Sequence, residues 1–243
     1  GTGRAPRIAL YKSWAPSMDE GWTRWVLDQY RIRYDTLHDA DVRAGRLAAR
    51  YDVLVLPSQS PREIREGRRP GTVPPEYAGG LGEAGVAALA EFVRAGGTLV
   101  ALEEASRFAI EAFGLPLRDV VAGLPPARFY IPGSILRLEL DPAHPLSAGV
   151  PASTIAWFGE ESFAFEPTGE GVRIVGRYGR ERTLLSGWAL GPEHVAGAGA
   201  LAEARLGRGR VILFGFRPQY RGQSMATFPL FFNALRAGAA PAG

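Results

Sequence analysis

The sequence predicts an α/β fold: a mostly parallel open sheet with helices on both faces, extended by antiparallel strands in its second half. Three observations predict it. Continuous apolar runs at 7–12 (RIALYK), 51–57 (YDVLVLP) and 98–102 (TLVAL) have the character of strands covered on both faces. Segments of helical period lie between them, giving the strand–helix alternation of a doubly wound sheet. Past Phe113 the runs become short and are separated by glycine and charged turns, with one clear hairpin signal.

Each element follows in order. Residues 1–6 read as a linker or cloning remnant, and 7–12 form the first strand. Ser17 opens a helix, because Ser17 and Glu20 have the S-x-x-E spacing of a capping box. Met18, Trp22, Trp25 and Val26 recur at i, i+4, i+7 and i+8 and mark its apolar face. Residues 34–38 form a second strand, and 51–57 a third that ends at a proline. Residues 58–81 are rich in Pro, Gly and Arg without periodicity, and are expected to form a partner-facing loop. Val86, Leu89, Ala90 and Val93 line one face of a helix over 82–95, stopped by Gly96 and Gly97. The strand at 98–102 and a helix over 104–113 follow. In the second half, strands are expected at 134–140, 156–165, 172–178 and 184–190. A hairpin over 200–206 and 210–216 turns at Gly207-Arg208-Gly209. Phe228, Phe231, Phe232 and Leu235 mark a final helix. One domain is expected over 7–236, with a disordered tail at 237–243.

Composition narrows the chemistry. The chain has 243 residues and a net charge of +3, with Lys12 its only lysine. So small an excess demands neither nucleic acid nor a membrane surface as partner. There is no cysteine, which excludes disulfides, thiolate nucleophiles and cysteine metal sites. No apolar run approaches the roughly 18 residues of a membrane span. The three histidines, His38, His144 and His194, lack metal-ligand spacing and read as turn or surface residues, so no metal site is assigned. No G-x-S-x-G elbow is present, and Ser106 reads as a residue of a first helical turn.

Candidate site residues gather behind the strands. Glu103 and Glu104 follow a buried strand and enter a helix, where the dipole favours a carboxylate. Glu103 could instead point into the crevice at the carboxyl end of the sheet, where open α/β sheets bind ligands. The densest cluster is Arg217, Gln219, Tyr220, Arg221 and Gln223, behind the strand that ends near Phe214. Its arginine forks suit carboxylates or phosphates. The alternative is a polar loop that caps the last helix and pairs with Glu103 or Asp52. Ser13-Trp14 and Ser58-Gln59 also follow strands. A parallel sheet brings all four loops to one edge and places Glu103 near Arg217 or Arg221.

Several segments carry a family resemblance: RIALYKSWAPSMDEGWTRWVLDQY, YDVLVLPSQS, RPGTVPPEYAGGLGEAGVAALAEFVRAGGTLVAL, HPLSAGVPASTIAWF and GRVILFGFRPQYRGQSMATFPLFFNAL. From about Arg7 to Leu235 the chain resembles the C-terminal part of bacterial proteins whose preceding part is a carboxypeptidase A-type zinc peptidase domain. That C-terminal part is similar to the class I glutamine amidotransferase-like, flavodoxin-like fold. Active members carry a G-x-C-x-G elbow. The matching stretch here, Ala101-Leu102-Glu103-Glu104-Ala105, has neither the cysteine nor the glycines. Gln219-Tyr220-Arg221 stands near the place of the triad H-x-E.

The resemblance implies a non-catalytic accessory domain for domain packing, oligomerisation or ligand binding. The rivals are a hydrolase, or a small-molecule or carbohydrate sensor, using the Glu103/Arg217 cleft. The implied partners are the upstream peptidase domain and, as an alternative, a second copy of the chain. No cofactor is expected in this chain, zinc belonging to the upstream peptidase domain. A secreted or periplasmic location would come through the parent protein.

Overall fold

The computed structural model describes residues 4–238. The parallel half is built from β1 (Ile8–Tyr11), β2 (Asp35–Leu37), β3 (Val53–Leu56), β4 (Thr98–Leu102) and β12 (Gly209–Phe214). Their order in the sheet is β12-β4-β3-β1-β2, and neighbours in this run pair in parallel. Every residue of β1, β3 and β4 is buried, as continuous apolar runs require.

The helices are α1 (Met18–Gln29), α2 (Asp39–Arg43), α3 (Leu47–Arg50), α4 (Pro61–Glu66), α5 (Gly82–Arg94), α6 (Glu104–Phe113) and α7 (Phe228–Ala237). The right-handed crossovers β1–α1–β2 and β3–α5–β4 step across the sheet in opposite directions and so put α1 on one face and α5 on the other. Helix α7 shares the α1 side, where Phe228 and Phe232 meet Tyr30. Helices α2, α3 and α4 pack on α5, and α6 lies over β4 and β12 against α4.

The second half adds β5 (Leu117–Asp119), β6 (Gly133–Leu140), β7 (Ser153–Gly159), β8 (Phe165–Pro167), β9 (Val172–Tyr178), β10 (Leu184–Ser186) and β11 (Gly199–Leu206). All of these pair antiparallel. The junction between the halves is the β11–β12 hairpin. Leu206 pairs with Gly209 across the two-residue turn, and Gly207 holds φ +61°. The sheet therefore continues beyond the parallel core as β11-β9-β6-β10.

Several expectations need correction. Met18 is 75% exposed and Trp25 49% exposed, while α1 buries Asp19, Glu20, Thr23, Val26 and Leu27. The aromatic stripe of α1 thus faces outward, and a polar stripe turns inward to the site below. The run 156–165 is two strands, β7 and β8, because the chain turns at 160–164. The run 184–190 is a strand only to Ser186. The segment 58–81 contains a helix, α4. Ser60 caps it by accepting from the Glu63 N–H, with Pro61 in the first turn, so S-P-x-E was a start signal within the expected loop.

At the chain ends, Arg4 is pinned to Asp52 at 2.7 Å, and α7 runs to Ala237, one residue into the expected tail. Residues 1–3 and 239–243 lie outside the described residues.

Candidate functional site

Strands β1, β3, β4 and β12 run in the same direction, so the chain leaves each of them at the same edge. Glu103 stands between β4 and α6 with φ +48° and ψ −113°. That backbone is strained for a side chain larger than glycine. A sharp, strained strand-to-helix turn is where elbow enzymes hold their nucleophile. Here the turn holds a carboxylate instead. The Glu103 N–H donates to the Phe214 carbonyl at 2.9 Å, which ties the turn to β12.

The Glu103 side chain is fully buried and fully partnered. Arg217 Nη2 lies 2.8 Å from Oε2. Ser58 Oγ donates to Oε2 at 2.9 Å, and Ser162 Oγ donates to Oε1 at 2.6 Å. Each serine in turn accepts a backbone N–H, Ser58 from Glu104 at 3.3 Å and Ser162 from Gly159 at 3.0 Å. Arg217 reaches a second carboxylate, with Nε 2.9 Å from Asp19 Oδ1 on α1. One guanidinium thus bridges two carboxylates from opposite sides of the sheet edge.

Electrostatics follow from burial. Desolvation pushes Glu103 up to about 7; Arg217 and the Ser162 hydroxyl oppose it without winning, and Asp19 adds to the rise. Desolvation likewise pushes Asp19 up to about 6 against the pull of Arg217. Arg217 keeps its charge, because its two acids outweigh its own burial. The two carboxyls share Arg217, so they titrate as a coupled pair, and both protons leave above the usual carboxylate range.

Next to the cluster, Gln219 is buried. Its Nε2 donates to Thr23 Oγ1 at 3.1 Å, and its Oε1 has no partner. Tyr220 stacks on Trp157 at 4.3 Å and meets Trp22 edge-on at 5.2 Å, closing the cluster from outside. Gly222 lets the same loop close on α1 at Trp25: it holds φ +64°, and a Cβ there would sit 2.5 Å from the Trp25 ring.

The other sequence candidates divide into two groups. Ser13, Trp14 and Gln59 line a cavity of about 290 Å³ with Lys12, Ser17 and Glu20. It sits outside the carboxyl ends of β1 and β3, where the strand order reverses. Trp14 stacks on His38 at 3.9 Å and so forms one fixed wall. Glu104 lends its backbone N–H to Ser58, and burial raises its carboxyl. The expected alternative partner, Arg221, is exposed and lies over its own neighbour Tyr220, and Gln223 is exposed as well. Arg217 alone makes the contact with Glu103. Asp52, the other acid considered, pairs with Arg4 and Arg7 at the opposite edge.

Ser106 is structural, donating to the Ala101 and Phe214 carbonyls. His144 accepts the Leu146 N–H, and His38 Nδ1 is 2.8 Å from the Lys12 carbonyl. Among the described residues, no group of three His, Cys, Asp or Glu side chains is placed to hold a metal.

The residues missed in the sequence are Asp19, Thr23, Trp157 and Ser162. Asp19 and Thr23 at i and i+4 form a short polar stripe on α1, which was a readable signal. Ser162 and Trp157 arrive from the antiparallel half, and no local pattern marks them.

The sequence matches no family model and no curated protein. Solved structures do match. A ThuA-like protein from Bacteroides uniformis aligns with TM-score 0.59 at 12% identity, covering 98% of this chain and 93% of that one. A protein described as a GMP synthase subunit, from Thermoplasma acidophilum, aligns with TM-score 0.60 at 8% identity, covering 97% and 96%. A β-galactosidase from Bacillus circulans sp. alkalophilus aligns with TM-score 0.59 at 13% identity over 97% of this chain and 31% of that one. At these identities the likeness is one of fold. The chain has a glutamine amidotransferase-like, ThuA-like α/β fold.

Proposed function

We propose that this chain is a catalytically silent amidotransferase-like domain that serves as an accessory module. The observation that carries this reading is Glu103. It occupies the elbow with no solvent exposure, and three donors hold both of its oxygens. A nucleophile or general base must reach a substrate atom. This carboxylate is committed to Ser58, Ser162 and Arg217, and the Trp157–Tyr220 stack lies over the cluster. With no cysteine in the chain, a thioester route from glutamine has no nucleophile. The test is a glutaminase and peptidase assay on the purified chain. Turnover above background that Glu103→Gln abolishes would overturn the reading.

The parent of the module is proposed to be a zinc carboxypeptidase-like protein, on the family resemblance of the segments quoted above. Its zinc would sit in the upstream peptidase domain. Sequencing the reading frame upstream of Gly1 tests this: a peptidase domain with an H-x-x-E motif supports it, and an unrelated domain or none removes it.

A second reading, a small-ligand sensor, is favoured by the cavity beside Trp14. It places Lys12, Ser13 and Gln59 around a fixed aromatic wall at the switch point of the sheet. A ligand-induced rise in melting temperature, lost in Trp14→Ala, is the expected signature.

A further inference from the structure

We infer that the opposite edge of the sheet carries a binding groove for a small, multiply charged phosphate ester. The groove has a volume of about 960 Å³ and lies at the amino ends of β1 and β2. Its lining includes five arginines, Arg7, Arg24, Arg31, Arg33 and Arg50, against two acids, Asp28 and Asp35.

The arginines have separate duties. Arg7 is held by Asp52 at 2.9 Å, and Arg24 by Glu20. They form the frame. Asp28 accepts from the Tyr34 hydroxyl at 2.9 Å, and Asp35 accepts from the Tyr51 hydroxyl at 3.1 Å. Both groove carboxylates are thus engaged by phenols rather than by guanidiniums. Arg50 reaches the Tyr51 hydroxyl at 2.6 Å and covers that ring. The guanidiniums of Arg31 and Arg33 make no ion pair or hydrogen bond among the described residues. Both are exposed lining residues of the groove, and a phosphoryl group is the compact acceptor that matches such forks.

The backbone supplies an independent observation. Helix α1 ends in a Schellman turn: the Ile32 N–H donates to the Leu27 carbonyl at 2.9 Å, and the Arg31 N–H to the Asp28 carbonyl at 3.0 Å. The residue in the left-handed position is Arg31, at φ +53°, where glycine is usual. A long cationic side chain is thereby kept at a conformational cost and aimed from a fixed turn. The helix dipole accounts for one cation there. It does not account for Arg33, two residues further along the same connection, or for Arg50 at the end of α3. The volume suits one small ligand, since such sites span roughly 300–1,000 Å³.

The test is calorimetric titration of the intact chain with inorganic pyrophosphate at low salt, with citrate and a short single-stranded oligonucleotide as further arms. Saturable one-to-one pyrophosphate binding that weakens as salt rises is expected, with citrate weaker. The double variant Arg31→Gln, Arg33→Gln should lose about tenfold or more in affinity. Its melting temperature should stay unchanged, because neither guanidinium has a partner to lose. Arg62→Gln, on α4, should bind as the parent does. Absence of saturable binding up to about millimolar pyrophosphate overturns the inference. So does a double variant that binds as the parent does. An oligonucleotide that binds more tightly than pyrophosphate overturns it too, since the face would then be a nucleic-acid surface.

Discussion

The two edges of the parallel sheet hold arginine–carboxylate clusters of inverse stoichiometry and opposite physics, one arginine between two acids at one edge and two arginines on one acid at the other. At the carboxyl edge, Arg217 bridges Asp19 and Glu103 in a buried site. At the amino edge, Arg4 and Arg7 clamp Asp52 near solvent. Desolvation raises both buried carboxyls, Glu103 to about 7 and Asp19 to about 6. Asp52 moves the other way, well below the usual carboxylate range. Its burial would raise it, but the hydrogen bonds from Arg4 and Arg7 outweigh that. Burial and the number of arginines per acid together decide the sign: one buried guanidinium shared by two acids does not offset their desolvation, while two guanidiniums on the less buried Asp52 do.

Linkage turns the signs into opposite pH dependences. For Glu103 and Asp19 the folded pKa lies above the unfolded one. Their contribution is fully present below their unfolded values, 3.8 for Asp19 and 4.5 for Glu103, and is lost as pH rises toward about 7. For Asp52 the folded pKa is depressed, so its contribution is present above its unfolded value and is lost in strong acid.

The comparison can be broken at several points. The largest effect is expected for Arg217→Ala, which strands two buried carboxylates. The cost is about 3–5 kcal/mol at pH 8, measured by denaturant unfolding, with much of it recovered near pH 5 as both acids take up protons. Equal loss at both pH values would contradict the account. Ser162→Ala removes one donor to a buried carboxylate and should cost about 1.5–3 kcal/mol. Trp157→Phe keeps the stack on Tyr220 and removes a buried Nε1 that has no acceptor. It should be close to neutral, and a large loss would point to an acceptor at that atom. Arg4→Ala should leave the melting temperature unchanged, because that guanidinium is exposed.

The same contrast explains what the sequence made legible. Local patterns disclosed β4, α6 and the β11–β12 hairpin almost to the residue, because each is specified by a contiguous run with a clear stop. The convergence of Glu103 and Arg217 was legible from topology alone: parallel strands must end together. Which of Arg217 and Arg221 makes the contact was not, since it depends on the left-handed turn at Arg221 (φ +50°) and on Gly222 against Trp25. The inward polar stripe of α1 was hidden by the louder aromatic stripe, which periodicity reads as core. Ser162 was out of reach, being delivered from the antiparallel half by a turn with no signature.

The central claim is that Glu103 is a closed, structural carboxylate at the place of a nucleophile. It is tested most directly by the unfolding free energy of Glu103→Gln relative to the parent across pH 4 to 8. The amide mimics the protonated acid and cannot titrate. Both proteins share every other group, so their difference reports Glu103 together with its coupling to Asp19. The account predicts that the parent loses roughly 3 kcal/mol relative to Glu103→Gln as pH rises from about 4.5 to above 7, following the shift of the folded pKa to about 7. A difference that stays flat with pH would contradict it and describe an ordinary solvated carboxylate; one that runs in the parent's favour as pH rises would contradict it and describe a carboxylate whose pairing with Arg217 outweighs its desolvation.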